Sequence, residues 1–202
     1  NLPYEFYDYL EHSVEEWVYD YSLADSIPDG TGQDESMDLL AAAVPVRVVE
    51  WYQKLIRMVG WKLSAMAPAS SAISNLIMSD QGKQDVRRSN CCVMDCGRQG
   101  VRLYFYQKGL LFAKRGLEFC DTEERLLFEL EKIWDYYQTC YPGYIPELIY
   151  VTGGKRNPLL EAAITERLEA ECCDWTKLLD NSQKPVRGLI SAEAAGITFW
   201  KG

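Results

Sequence analysis

The sequence predicts an α/β fold, with a mixed sheet, flanking helices and a small added α+β subdomain. Three observations predict it. Two apolar runs, Cys92-Val93-Met94-Asp95-Cys96-Gly97 and Leu148-Ile149-Tyr150-Val151-Thr152-Gly153-Gly154, both end at glycine. Buried strands end this way where backbone must pass close to something. A strand pair and a long amphipathic helix stand between the two runs, and strands alternating with helices make such sheets.

The elements follow in order. Leu2-Pro3-Tyr4-Glu5-Phe6-Tyr7-Asp8-Tyr9-Leu10 is aromatic and acidic and leads into a strand at Trp17–Leu23. Ile27–Ser36, rich in Asp and Gly, is a loop. Met37–Ala43 is a second strand. Val48, Val49, Tyr52, Leu55, Ile56 and Val59 recur at helical spacing, and Gly60 fits the C-cap. Pro68 to Ile77 is a short helix with Ile73, Leu76 and Ile77 inward, and polar Ser79–Asn90 is a linker.

The second half starts at Cys91. Val101–Tyr106 puts Val101, Leu103 and Phe105 on one face, Gln107-Lys108-Gly109 turns, and Leu110–Lys114 returns. Asp121 with Glu124 resembles a capping box for a helix whose inner face is Leu126, Leu127, Leu130, Ile133, Trp134 and Tyr137. Pro142, Gly143 and Pro146 end that helix. Asn157 caps the next one with Pro158 at its first position, and Leu159, Leu160, Ala163, Ile164 and Leu168 face inward. Cys172–Leu178 is an edge strand and Ser191–Phe199 a terminal helix. No repeat of 20–50 residues is visible. The domains are 1–62, a small α+β subdomain; 63–90, a helix and linker; and 91–202, the second domain.

Composition narrows the function. The 202 residues are 48% hydrophobic and 25% charged, as in globular proteins, with a formal net charge of -9. An acidic chain repels phosphate backbones, so nucleic acid is not an expected partner. No apolar run approaches the roughly 18 residues of a membrane span. The chain begins with Asn1 rather than Met, so its natural start is expected upstream. The cysteines number seven, and Cys91, Cys92, Cys96, Cys172 and Cys173 fall in or beside core strands. They read as buried free thiols of a reducing compartment. Zinc is not expected, because Cys-x-x-Cys is absent and His12 is the one histidine, without an obvious partner. That histidine also leaves no Ser-His-Asp or Cys-His nucleophile to build.

The second half resembles the actin-like ATPase (ribonuclease H-like) superfamily, and within it the PilM-type proteins of type IV pilus assembly, which are FtsA-like. Val93-Met94-Asp95-Cys96-Gly97 resembles the second phosphate strand, with the hairpin Val101–Lys114 after it in the family's order. The helix bearing Glu129, Glu131 and Tyr136-Tyr137 resembles the connecting helix. Ile149–Gly154 resembles the adenosine motif, an apolar strand ending in Thr-Gly-Gly, and Ala194-Ala195-Gly196-Ile197 resembles the closing helix. Leu2-Pro3-Tyr4-Glu5, Asp20-Tyr21 and Asp38–Ala43 leading to Gly60 are similar to the pattern of the inserted subdomain. The family's phosphate-1 strand has no counterpart before Tyr4, so the expected fold is partial.

The resemblance implies a nucleotide site. Asp95 would hold magnesium through water, and Gly97, Arg98, Gly153, Gly154 and Lys155 would face the nucleotide, with Arg156 adding charge. Glu129 or Glu131 would position a water; a solvated helix face is the plainer reading of both. Family turns follow the glycine with hydroxylated residues, whereas Arg98-Gln99-Gly100-Val101 stands here. Val101 has no hydroxyl to donate. Arg98 meets either phosphate or solvent, and Gly153-Gly154 serves either a nucleotide or a close turn before Pro158. Tyr4, Phe6, Tyr7 and Tyr9 are either a partner surface or strand packing.

The expected role is a cytoplasmic scaffold at the inner face of the cell membrane, in a type IV pilus or type II secretion-like platform. Its expected partners are other platform proteins and a PilN-like membrane protein, whose cytoplasmic tail it would bind. Contact with the membrane would come through that partner, and a homo-oligomer fits too. ATP and magnesium would belong to the full-length protein, with no tight binding to this chain. An ATPase or sugar-kinase relative and a division-type filament protein are the alternatives.

Overall fold

The computed structural model describes residues 2–10, 13–23, 39–78, 90–118, 122–141, 143–144, 146–179 and 192. The chain divides into two compact units, Asn1–Pro68 and Ala69–Gly202.

In the first unit, α1 (Leu2–Glu5) and a 3-10 turn at Tyr7–Tyr9 precede β1 (Trp17–Leu23). The aromatic opening is thus helical. Phe6 packs on Tyr19 of β1 with ring centroids 5.6 Å apart, while Tyr4, Tyr7 and Tyr9 are exposed. β1 pairs antiparallel with β2 (Leu39–Pro45), Trp17 opposite Pro45 and Leu23 opposite Leu39. The predicted loop 27–36 and residues 37–38 of the predicted strand lie outside the described residues, as does His12. α2 (Val46–Met58) starts directly after Pro45. It ends in a Schellman motif: Gly60 at φ 77° donates to the Arg57 carbonyl, and Trp61 donates to that of Ile56.

The second unit opens with α3 (Ala69–Met78), whose Ile73, Leu76 and Ile77 are buried as the spacing predicts. Residues 79–89 of the predicted linker are outside the described set, and Asn90 already belongs to β3 (Asn90–Cys96). β4 (Gly100–Gln107) and β5 (Leu110–Glu118) form the hairpin. Its turn is two residues, Lys108 and Gly109, at φ 51° and 84°, because Gln107 still pairs with Leu110. Positive φ at both central positions suits the right-handed twist of a tight hairpin.

α4 (Glu123–Cys140) is capped by Thr122, whose hydroxyl accepts from the Arg125 N–H. That corrects the expected cap at Asp121, which lies outside the described residues: Thr122 has the extended backbone an N-cap needs, one residue later. β6 (Leu148–Thr152) and α5 (Pro158–Leu168) follow, with Asn157 capping as predicted. Leu159 departs from expectation: at the first turn it points outward and is 76% exposed. β7 is only Glu171–Asp174, and Trp175–Leu178 is a 3-10 turn begun where the Asp174 carboxylate accepts from Thr176 N–H. Of the predicted terminal helix, only Ala192 is described.

The sheet order is β5-β4-β3-β6-β7. β3, β6 and β7 run parallel, β4 runs antiparallel to them, and β5 returns antiparallel to β4. Strand alternation divides the core into two layers. Cys92, Met94, Cys96, Ile149 and Val151 pack with α4 and α5 on one face. Cys91, Val93, Tyr104, Tyr106 and Tyr150 pack with α3, Trp175, Leu178 and Ala192 on the other.

Candidate functional site

The parallel pair β3–β6 brings the two glycine turns together. Asp95 lies opposite Thr152 on β6 and opposite Arg102 on β4. By the alternation of β3, Asp95 shares the face of Cys91 and Val93, so its carboxylate lies on the α3 side of the sheet. It is 7% exposed, with Arg102 Nη1 3.7 Å from Oδ2. Thr152 is fully buried, and its hydroxyl accepts from the Ala192 N–H at 2.9 Å.

Gly153 closes the corner. Its φ is 94°, and a Cβ there would lie 2.4 Å from the Cys96 carbonyl oxygen and 2.7 Å from Asp95 Oδ1. Only glycine fits both the conformation and the space. The chain then folds over the end of β3, where Lys155 N–H donates to the same Cys96 oxygen at 3.1 Å. On the β3 side, Gly97 N–H donates to Gly100 O at 3.0 Å, and a Cβ on Gly100 would lie 2.0 Å from Leu117 O. Gly154, Lys155, Arg98 and Gln99 are exposed. Burial, and next the Asp95 charge, push the Cys96 thiol up to about 12, so it stays protonated.

Arg156 is not turned toward this corner. Its guanidinium makes a two-pronged pair with Glu161, Nε–Oε1 3.0 Å and Nη2–Oε2 3.1 Å, and a third bond with Asp174. Hydrogen bonding to Glu161 leads the effects that hold its proton more tightly than usual. Glu129 is likewise engaged elsewhere, paired with Lys132 at 2.9 Å on α4. Glu131 meets Arg167 at 3.4 Å. Because α4 covers the face opposite Asp95, Glu129 and Asp95 are separated by the sheet.

A magnesium nucleotide would need unengaged backbone N–H groups aimed at its phosphates and a carboxylate open to hydrated metal. The described residues fit this poorly. Gly97 and Lys155 donate their N–H groups within the chain, Thr152 holds Ala192, and the Arg102 guanidinium faces the Asp95 carboxylate at 3.7 Å. Among the described residues, no cluster of three His, Cys, Asp or Glu side chains could hold a metal.

Asp95, Gly97, Arg98, Gly153, Gly154 and Lys155 thus gather at one corner, and Glu129 does not. Sequence reading missed Arg102, Thr152 and Ala192. Registering β3 on β4 from the tight turn at Gly97–Gly100, which pairs Cys96 with Val101, would have found Arg102 opposite Asp95.

Among solved structures, the chain matches the PilM–PilN type IV pilus biogenesis complex with a TM-score of 0.73 at 15% identity, covering 96% of this chain and 69% of that one. It also matches a Bacteroides thetaiotaomicron protein of actin-like ATPase fold and unknown function, with a TM-score of 0.56 at 9% identity, over 98% of this chain and 64% of that one. No protein-family model matches, and no curated protein matches. At such identities the likeness establishes the fold alone: the chain has an α/β fold like that of the actin-like ATPases.

Proposed function

We propose that the chain is a scaffold of an inner-membrane assembly platform, of the type IV pilus or type II secretion kind. It binds the cytoplasmic tail of a PilN-like membrane protein and works at the inner face of the cell membrane. The observation that carries this reading is the match, over 96% of the chain, to a PilM–PilN complex. The corner at Asp95 supports binding over hydrolysis, since two of its backbone donors, the Gly97 and Lys155 N–H groups, serve the chain itself. An ATPase or kinase would need those donors at the phosphates.

The test is a pull-down with the chain as bait against single-pass membrane proteins encoded beside it, with and without magnesium ATP. Capture of one such protein in both conditions is expected. Capture of none, or capture that appears only with ATP, overturns the proposal.

A further inference from the structure

The first unit carries its charges apart. All its lysines and arginines, Arg47, Lys54, Arg57 and Lys62, lie on α2 or just past it, and no Asp or Glu occurs from residue 51 to residue 79. Within an acidic chain, this is a local cationic segment. α2 also shows an apolar stripe to solvent. Trp51, Leu55 and Met58, at helical spacing i, i+4 and i+7, are 58%, 42% and 76% exposed. Val59 and Trp61, in the Schellman turn, extend it and are 59% and 71% exposed. On the helical wheel Lys54 and Arg47 border the stripe.

We propose that this stripe lies in the headgroup layer of an anionic membrane, with Trp51, Met58 and Trp61 at the acyl boundary and Lys54, Arg57 and Lys62 against lipid phosphates. Exposed tryptophan beside leucine, methionine and cations is the composition of an interfacial helix. Glu50 is the one acid on α2, against Arg47, Lys54, Arg57 and Lys62, so the helix and its end carry a net positive charge that matches an anionic surface. Each cation near such a surface adds attraction that falls off within a Debye length, about 8 Å in physiological salt. Glu15, Glu16 and Glu50 lie beside Arg47 at the start of α2, so Lys54, Arg57 and Lys62 toward its end supply that attraction. No helix among the described residues is long and apolar enough to cross a membrane, so the contact is peripheral.

The experiment is co-sedimentation of the full chain with vesicles of 70% phosphatidylcholine and 30% phosphatidylglycerol, and with pure phosphatidylcholine. Binding to the anionic vesicles alone is expected, weakened at least tenfold in K54E/R57E and in W51S/M58S. Circular dichroism and melting temperature verify that these surface variants fold. Failure to bind anionic vesicles, equal binding to neutral ones, or unchanged binding by both folded variants overturns the proposal. So does a protein partner that needs the same residues while vesicles are ignored. The tail pull-down needs no lipid, so the two proposals fail separately.

Discussion

Gly153 stands against Cys96 so closely that a Cβ would lie 2.4 Å from the cysteine's carbonyl oxygen. The same oxygen receives the Lys155 N–H. The end of one glycine strand is thus clasped by the turn that follows the other.

Gly153→Ala should destabilise the second unit by about 2–4 kcal/mol, because both the positive φ and the contact must be relieved. Gly154, beside it, has nothing within 4 Å of a Cβ and no positive φ. Gly154→Ala should stay within about 1 kcal/mol of the parent. Urea denaturation of the two variants checks the contrast; equal losses would refute it.

Arg156 links α5 to β7 through Glu161 and Asp174. Burial pushes the Asp174 carboxyl up, but hydrogen bonds from Thr176 and the Arg156 guanidinium outweigh it, so the carboxyl titrates below its ordinary range. A folded value below the unfolded one contributes stability above the unfolded value of about 4, lost as pH falls through the folded value. Arg156→Ala should cost about 1–2 kcal/mol at neutral pH, discounted because Asp174 is partly solvated, and should flatten the acid loss below about pH 4. Melting temperatures from pH 2.5 to 7 of both proteins measure this.

The thiols should divide by burial. Cys91 and Cys92 are wholly buried, with the Cys91 thiol pushed up to about 12 by desolvation, whereas Cys140 is exposed. In a Cys120→Ser background, a maleimide at pH 7.5 should modify Cys140 within minutes and leave Cys91, Cys92 and Cys96 intact until denaturant is added. Peptide mass mapping reads the order.

Much of this fold was legible because its signals are local. β1 follows from its aromatic alternation, α2 from apolar spacing ending at Gly60, and α5 from Asn157-Pro158. The misses arise where tertiary geometry decides. Thr122 took the cap from Asp121 because the chain turns helical one residue later. Leu159 looked inward on pattern alone, yet a first-turn position after Pro158 faces solvent. In the site, the glycine-ended apolar runs marked both turns and the resemblance pointed to Asp95, but the engagement of Gly97, Lys155 and Arg156 depends on which atoms meet across strands and helices. Glu129 matched by order along the chain, which does not reveal the sheet face its helix covers.

On the proposed scaffold reading, the chain binds its partner without nucleotide control. Calorimetric titration of the chain with the cytoplasmic tail peptide of the captured membrane protein tests it most directly, run with and without 2 mM magnesium ATP. Saturable binding with the same Kd, within twofold, is expected in both runs. Absence of binding, or a Kd that tightens tenfold or more with magnesium ATP, would contradict it.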